Sequence, residues 1–266
     1  MVFRTLVYNV VFYVSTLVMM IVGAPTMIPG RRTEMAFVRL WSRIQMALHR
    51  AIVGARHEIR GLERMPKTGC IVAMKHQSTW ETIAMIPLLE DPAFILKREL
   101  MWIPFFGWWA ARAKMIPVDR GRGRDALRAM TERAKKAVDE GRQIAIFPEG
   151  TRREAGAEPA YKFGVAVLYR DLDVPIVPVA LNAGLVWPRR GVHRRGTIVA
   201  EVLEPIPAGL DPKTAFLRLQ LSIEEACDQL LLEAADRGDE LSPTAARRVA
   251  ELRAGAGTRI TEGRVA

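Results

Sequence analysis

The octapeptide K-H-Q-S-T-W-E-T, Lys75 to Thr82, places a histidine five residues ahead of a carboxylate. An imidazole can accept a proton from a hydroxyl at neutral pH, and a carboxylate can orient the ring and balance the charge that forms on it. The same spacing has a structural reading. Ser78-x-x-Glu81 is a capping box, in which hydroxyl and carboxylate satisfy free N–H groups at a helix start. Within one continuous helix, residues five apart point roughly 140° away from each other. His76 and Glu81 therefore meet only if His76 sits in the loop before the helix. The octapeptide alone leaves both readings open. A second stretch, I-A-I-F-P-E-G-T-R, Ile144 to Arg152, runs an apolar segment into a Glu149-Gly150 corner followed by Thr151 and Arg152. Glycine suits a tight turn, and the planar fork of arginine suits a phosphate. A solvated corner is the plain alternative. A third stretch, V-D-R-G-R-G-R, Val118 to Arg124, ends another apolar run in Arg120, with Arg122 and Arg124 beyond it. It reads either as a phosphate site or as a basic loop.

The elements that must position these residues read as α/β from residue 58 onward. Apolar runs at 70–74, 93–96, 114–118, 143–147, 174–181 and 197–202 are predicted strands. Helical patterns alternate with them at about 81–90, 124–140, 161–170 and 213–235. Such alternation specifies a mixed, mostly parallel sheet covered by helices. His76 follows the first strand directly, at the carboxyl edge where open α/β sheets carry their sites.

Residues 5–23 carry no charge, with Arg4 before them and Arg31 and Arg32 after. About nineteen apolar residues just reach across a bilayer as a helix, and a membrane anchor is the expectation, with a cleaved signal peptide as the alternative. Pro25 and Pro29 end any helix there. The next segment repeats Phe37, Leu40, Trp41, Ile44, Leu48 and Ile52 at helical spacing, with Arg39, Arg43 and Arg50 on the other face. It reads equally as a helix lying on an anionic membrane or as one packed on the core. The run M-W-I-P-F-F-G-W-W, Met101 to Trp109, suits an acyl tunnel or a lipid interface. The division is a membrane-associated helical segment at 1–55, an α/β domain at 56–240, and a basic tail at 241–266 that lacks a sustained apolar face and reads as disordered. The net charge of +10 favours an anionic partner. No nucleic-acid motif accompanies it. Cys70 and Cys227 have no metal-ligand spacing and read as two reduced thiols.

Taken in order, the blocks resemble the glycerolipid acyltransferase family. His76 to Glu81 is similar to the family's first motif, Met115 to Arg120 to its second, Phe147-Pro148-Glu149-Gly150-Thr151-Arg152 to its third, and Val174 to Val179 to its fourth. Lys162-Phe163-Gly164 resembles a lysine–glycine step between the last two. Two positions depart from the pattern: Glu81 stands where the family usually has aspartate, and Lys75 where it has asparagine. The resemblance implies transfer of an acyl group from a thioester to the free hydroxyl of 1-acyl-sn-glycerol 3-phosphate, giving phosphatidic acid in phospholipid biosynthesis. Another lysolipid acceptor, such as a lyso-ornithine lipid, is the nearest alternative. A non-catalytic protein that binds anionic lipid is the alternative from another class. The resemblance further implies His76 as general base, Glu81 as its partner, and Arg120, Glu149, Gly150, Thr151, Arg152 and Lys162 around the acceptor. It implies no metal and no cofactor beyond the acyl-CoA or acyl-carrier protein that brings the acyl group. The expected location is the cytoplasmic side of the inner membrane.

Overall fold

The computed structural model describes residues 1–119, 121 and 123–260. Its centre is a seven-stranded sheet: β1 (Ala55–Arg60), β2 (Ile71–Met74), β3 (Pro92–Lys97), β4 (Ile116–Val118), β5 (Gln143–Ile146), β6 (Ile176–Leu181) and β7 (Gly196–Val202). The strand order is β1-β7-β6-β2-β5-β3-β4. Every pairing is parallel except β6 with β7. The mixed, mostly parallel sheet expected from the sequence is therefore the one observed. Strands β2 and β5 are buried along their whole length and sit side by side at the middle. Continuous apolar runs such as Ile71–Met74 suit strands covered on both faces.

Nine helices flank the sheet among the described residues: α1 (Val2–Val22), α2 (Arg31–Val53), α3 (Trp80–Ala84), α4 (Phe106–Arg112), α5 (Gly123–Asp139), α6 (Gly164–Leu172), α7 (Ala183–Val186), α8 (Pro212–Asp236) and α9 (Pro243–Arg253). One core layer joins the sheet to α5, α6 and α8 through residues such as Ile144, Leu168, Leu219 and Ile223. The opposite layer holds Trp80, Met74, Val179 and Trp187 with the inner side of α2. The helix expected over 81–90 is shorter, because Pro87 has no N–H to donate to the Ile83 carbonyl, which accepts from the Ser42 hydroxyl instead. The chain turns instead into a 3-10 segment at Ile86–Leu88.

Strand β1 was not legible, since Arg56, Glu58 and Arg60 alternate along it. It is an edge strand, where outward charges are tolerated and keep foreign strands away. The apolar stripe read on α2 is not its buried face. Leu40 is exposed and Trp41 half-buried, while Ser42, Gln45 and His49 are buried. Ser42 donates to the Ile83 carbonyl at 2.8 Å, and Gln45 donates to Ser15 at 2.9 Å. His49 meets His57 at 3.0 Å within a cluster of Tyr8, Trp187 and His193 rings. Burial pulls His57 and His193 down to about 4, so this cluster is neutral at ordinary pH. Trp41 Nε1 donates to Thr16 at 3.1 Å, and α1 runs antiparallel along α2.

The chain beyond 240 departs from the expected disordered tail over 243–253. Ser242 accepts the Ala245 N–H and caps α9, which buries Ala245 and Val249. Arg248 holds Asp228 of α8 through two hydrogen bonds of 2.9 and 2.5 Å. A short helix with so narrow an apolar face is hard to recognise, because the interaction that docks it is a buried ion pair. Arg248→Ala leaves Asp228 buried and uncompensated, and is expected to cost about 3 kcal/mol, read by thermal or denaturant unfolding of the purified protein.

Candidate active site

Strand β2 ends at Met74, and the chain reaches His76 before α3 begins. His76 is thus in the loop, free to fold back over the first turn of α3. Its Nδ1 donates to Glu81 Oε1 at 2.8 Å. The same oxygen accepts the backbone N–H groups of Gln77 and Ser78 at 2.8 and 2.7 Å. Ser78 Oγ accepts the Trp80 N–H at 3.1 Å. The cap and the histidine contact are therefore one arrangement, and the two readings of the octapeptide are not rivals. With Nδ1 held by the carboxylate, Nε2 is the nitrogen left for a proton acceptor.

Strand β5 supplies the other side. Phe147 stacks on the His76 ring with centroids 4.1 Å apart and planes 22° from parallel. The backbone of His76 is pinned at both ends: its N–H donates to Glu149 Oε2 at 3.3 Å, and its carbonyl accepts the Arg153 N–H at 2.8 Å. Beneath it lies a buried polar group. Lys75 Nζ bonds Glu149 at 3.0 Å and Glu224 of α8 at 2.7 Å. Tyr161 donates to the same Glu224 oxygen at 2.7 Å. Burial opposes the charge on Lys75, but the two glutamates outweigh it and push its titration up, so it stays an ammonium. Burial pushes Glu224 up and raises Tyr161 well above the ordinary phenol range.

His76 opens onto a cavity of about 620 Å³. Gly150, Thr151, Arg152 and Arg189 line it near His76. The rest of its wall is mostly apolar, from Phe12 and Met20 on α1, Phe37 and Trp41 on α2, and Phe94 and Trp109 deeper in the domain. A hydroxyl positioned at Nε2 could lose its proton there while a chain of methylenes lay in the apolar part.

An acyltransferase family model matches residues 56–182. The chain is 36% identical over 178 residues to a 1-acyl-sn-glycerol-3-phosphate acyltransferase of Pseudomonas aeruginosa, covering 67% of this chain and 69% of the relative. The chain belongs to the 1-acyl-sn-glycerol-3-phosphate acyltransferase family. It is also 33% identical over 190 residues to 1-acyl-sn-glycerol-3-phosphate acyltransferase alpha of Homo sapiens, covering 69% of this chain and 65% of that one. The crystal structure of the 1-acyl-sn-glycerophosphate acyltransferase PlsC from Thermotoga maritima shares the fold, with a TM-score of 0.71 at 21% identity, over 86% of this chain and 96% of that one.

Within this member of the family, the expected site residues separate. His76, Gly150, Thr151 and Arg152 share the cavity wall. Gly150 has φ +67°, a left-handed turn that glycine enters without strain. Glu149 is not at the cavity. It is buried and bonded to Lys75 and His76, so the expected contact with the acceptor or with Arg152 is replaced by support of the histidine from below. Lys162 is exposed and is not part of the cavity wall. Its stem packs on Gly150, and its N–H donates to Pro148 at 2.9 Å, which braces the turn. Arg120 lies outside the described residues. Tyr161 and Glu224 were not singled out from sequence, and Phe147 only as the first residue of the third motif, although a glutamate among Ile223, Cys227 and other buried positions of α8 signals a buried partner. The Met101 to Trp109 run divides: Trp109 is buried against the cavity, whereas Trp102 and Trp108 are 70% and 62% exposed. Gly107 makes that possible, since a Cβ there would lie 2.0 Å from the Met101 carbonyl.

Glu81→Gln keeps an oxygen for the three N–H donors and removes the charge. Acyl transfer is expected to fall by about a hundredfold or more, while the unfolding temperature stays within a few degrees of wild type. Loss of fold with full specific activity in the surviving protein would assign Glu81 to capping alone.

Proposed function

We propose that the protein acylates the free hydroxyl of 1-acyl-sn-glycerol 3-phosphate with an acyl thioester, giving phosphatidic acid. The observation that carries the reading is the His76–Glu81 contact at the mouth of an apolar cavity that arginines line. Its chemistry is complete without an enzyme nucleophile. His76 Nε2 takes the hydroxyl proton as the alkoxide oxygen forms its bond to the thioester carbonyl carbon. Glu81 balances the imidazolium. The tetrahedral intermediate collapses, the carbon–sulfur bond breaks, and the thiolate takes the proton back from His76. A thiolate leaves readily, so no step calls for a metal or a further cofactor.

Arg152 and Arg120 are assigned the acceptor phosphate, with Arg189 beside Arg152: its guanidinium donates to the Arg152 carbonyl at 3.2 Å. Gly150 and Thr151 shape the corner. The acyl chain occupies the apolar cavity, where it leaves water.

The membrane is the proposed source of the acceptor. Helix α1 is long and apolar enough to cross a bilayer, and its outer face exposes Phe3, Leu6, Val10, Val14, Val18 and Val22. Exposed Trp102 and Trp108 suit the headgroup region. The proposed side is the cytoplasmic face of the inner membrane, where acyl-CoA or an acyl-carrier protein delivers the thioester.

A purified assay across thioester donors and lysolipid acceptors tests this. Lysophosphatidic acid should be acylated and a phosphate-free lysolipid should not. His76→Ala should lower kcat about a thousandfold without changing vesicle binding. Arg152→Ala should raise KM for lysophosphatidic acid about tenfold or more. Turnover of a phosphate-free acceptor in place of lysophosphatidic acid overturns both the acceptor and the arginine assignments.

A further inference from the structure

The wall of the apolar cavity includes a carboxyl that the transfer reaction does not use. Glu34 lines it, and none of its surface is exposed. Neither carboxyl oxygen has a hydrogen-bond partner among the described residues. A buried carboxyl without a partner is unfavourable by more than one polar contact is worth, and native proteins rarely tolerate it without a purpose.

Its place along the cavity gives it one. Helix α2 is tied to α3 where Ser42 donates to the Ile83 carbonyl, close to the turn that carries His76 and Glu81. Glu34 lies eight residues earlier on α2, about 12 Å back along the helix axis at 1.5 Å per residue. Around this remote end stand Met20 of α1, Phe37 of α2 and Trp109, Ala110 and Ala113 at α4. A chain attached near His76 and laid in the cavity therefore meets methylene-compatible wall first and a carboxyl last.

Resting on the acyl-transfer reading above, we propose that Glu34 forms a polar subsite at the distal end of the acyl cavity, which takes a hydroxyl on the far end of an acyl chain and rejects a methyl end that reaches it. A shorter methyl-ended chain leaves the distal cavity to water, toward which the buried carboxyl can turn. A chain long enough to expel that water without replacing its hydrogen bonds leaves the carboxyl unpaired. A chain of that length ending in a hydroxyl replaces them.

Charge makes the subsite sensitive to pH. Burial raises Glu34 to about 7, opposed by Arg112 at the end of α4 and by Arg31 on α2 itself. Both arginines have other partners: Arg112 donates to the Met27 carbonyl, and Arg31 pairs with Asp91 and Glu140. Helix α1 carries no charged side chain between Thr5 and Val22. As pH rises through the raised value, the neutral carboxyl becomes a carboxylate and rejection of a methyl end sharpens.

The test uses the full-length enzyme with acyl thioesters of graded length, ending in methyl or in hydroxyl. The readout is the ratio of kcat/KM between long and short donors on whichever lysolipid is turned over. A wrong acceptor assignment, or titration of His76, changes both donors alike and leaves the ratio intact. Glu34→Leu is expected to raise the long-to-short ratio for methyl-ended donors about tenfold and to abolish the preference for the hydroxyl-ended long donor. In wild type the methyl-ended ratio should fall as pH is raised across roughly one unit either side of the Glu34 value, and Glu34→Gln should make it flat. The Gln change preserves shape, so it tests the proposal even if the Leu variant does not fold. Ratios in both variants that superimpose on wild type at every pH overturn the subsite. An enzyme that turns over no donor on any lysolipid overturns the acyl-transfer reading and the subsite with it.

Discussion

One carboxylate oxygen organises the site. Glu81 Oε1 receives N–H groups from the His76 ring and from the backbone of Gln77 and Ser78, all within 2.7 to 2.8 Å. The loop that leaves β2, the start of α3 and the tautomer of the histidine are thereby fixed by a single acceptor. Three donors converging on it suit a full negative charge, and the burial of Glu81 keeps water from competing. The longer reach of glutamate than aspartate is no obstacle. His76 sits in the loop rather than on the helix, and the extra methylene is absorbed in the distance back to it.

The sheet supplies what that oxygen cannot. Adjacent strands β2 and β5 end together, so the loops carrying His76 and Phe147 leave from neighbouring points. Below them, Lys75 stands between Glu149 and Glu224, and Glu149 extends the network to the His76 N–H. Two carboxylates this close are tolerable only with the ammonium between them. Lys75 thus accounts for a departure from the family pattern: here a charge, not an amide, holds the corner of the F-P-E-G-T-R turn beneath the histidine.

Helices α1 and α2 complete the enclosure in an inverted manner. Helix α2 turns Ser42, Gln45 and His49 inward, where each finds a polar partner, and leaves much of its apolar stripe to α1 and the cavity. Helix α1 in turn covers part of that stripe and exposes its own apolar outer face. A water-facing protein would be destabilised by so much exposed apolar surface. In a lipid environment the same arrangement costs nothing.

The sequence by itself determined the strands that alternate with α5, α6 and α8, because their apolar periods are long and unbroken, and with them the mixed, mostly parallel sheet. It also determined the order of His76, Glu81 and the Glu149–Arg152 corner, since those residues sit at strand ends that the apolar runs mark. It did not disclose β1, whose charges suit an edge, or α9, whose docking is an ion pair. The family resemblance placed Glu149 near the acceptor, and nothing in the Glu149-Gly150 corner of the sequence marks that carboxylate as facing inward. Only the tertiary structure decided that Glu149 faces inward, that Lys75 meets Glu149 and Glu224 across 74 and 149 residues of chain, and that Glu34 is buried at the cavity wall with no hydrogen-bond partner among the described residues. Those outcomes depend on which buried charges face each other, and a linear pattern of residue types holds no record of distance between segments far apart in the chain.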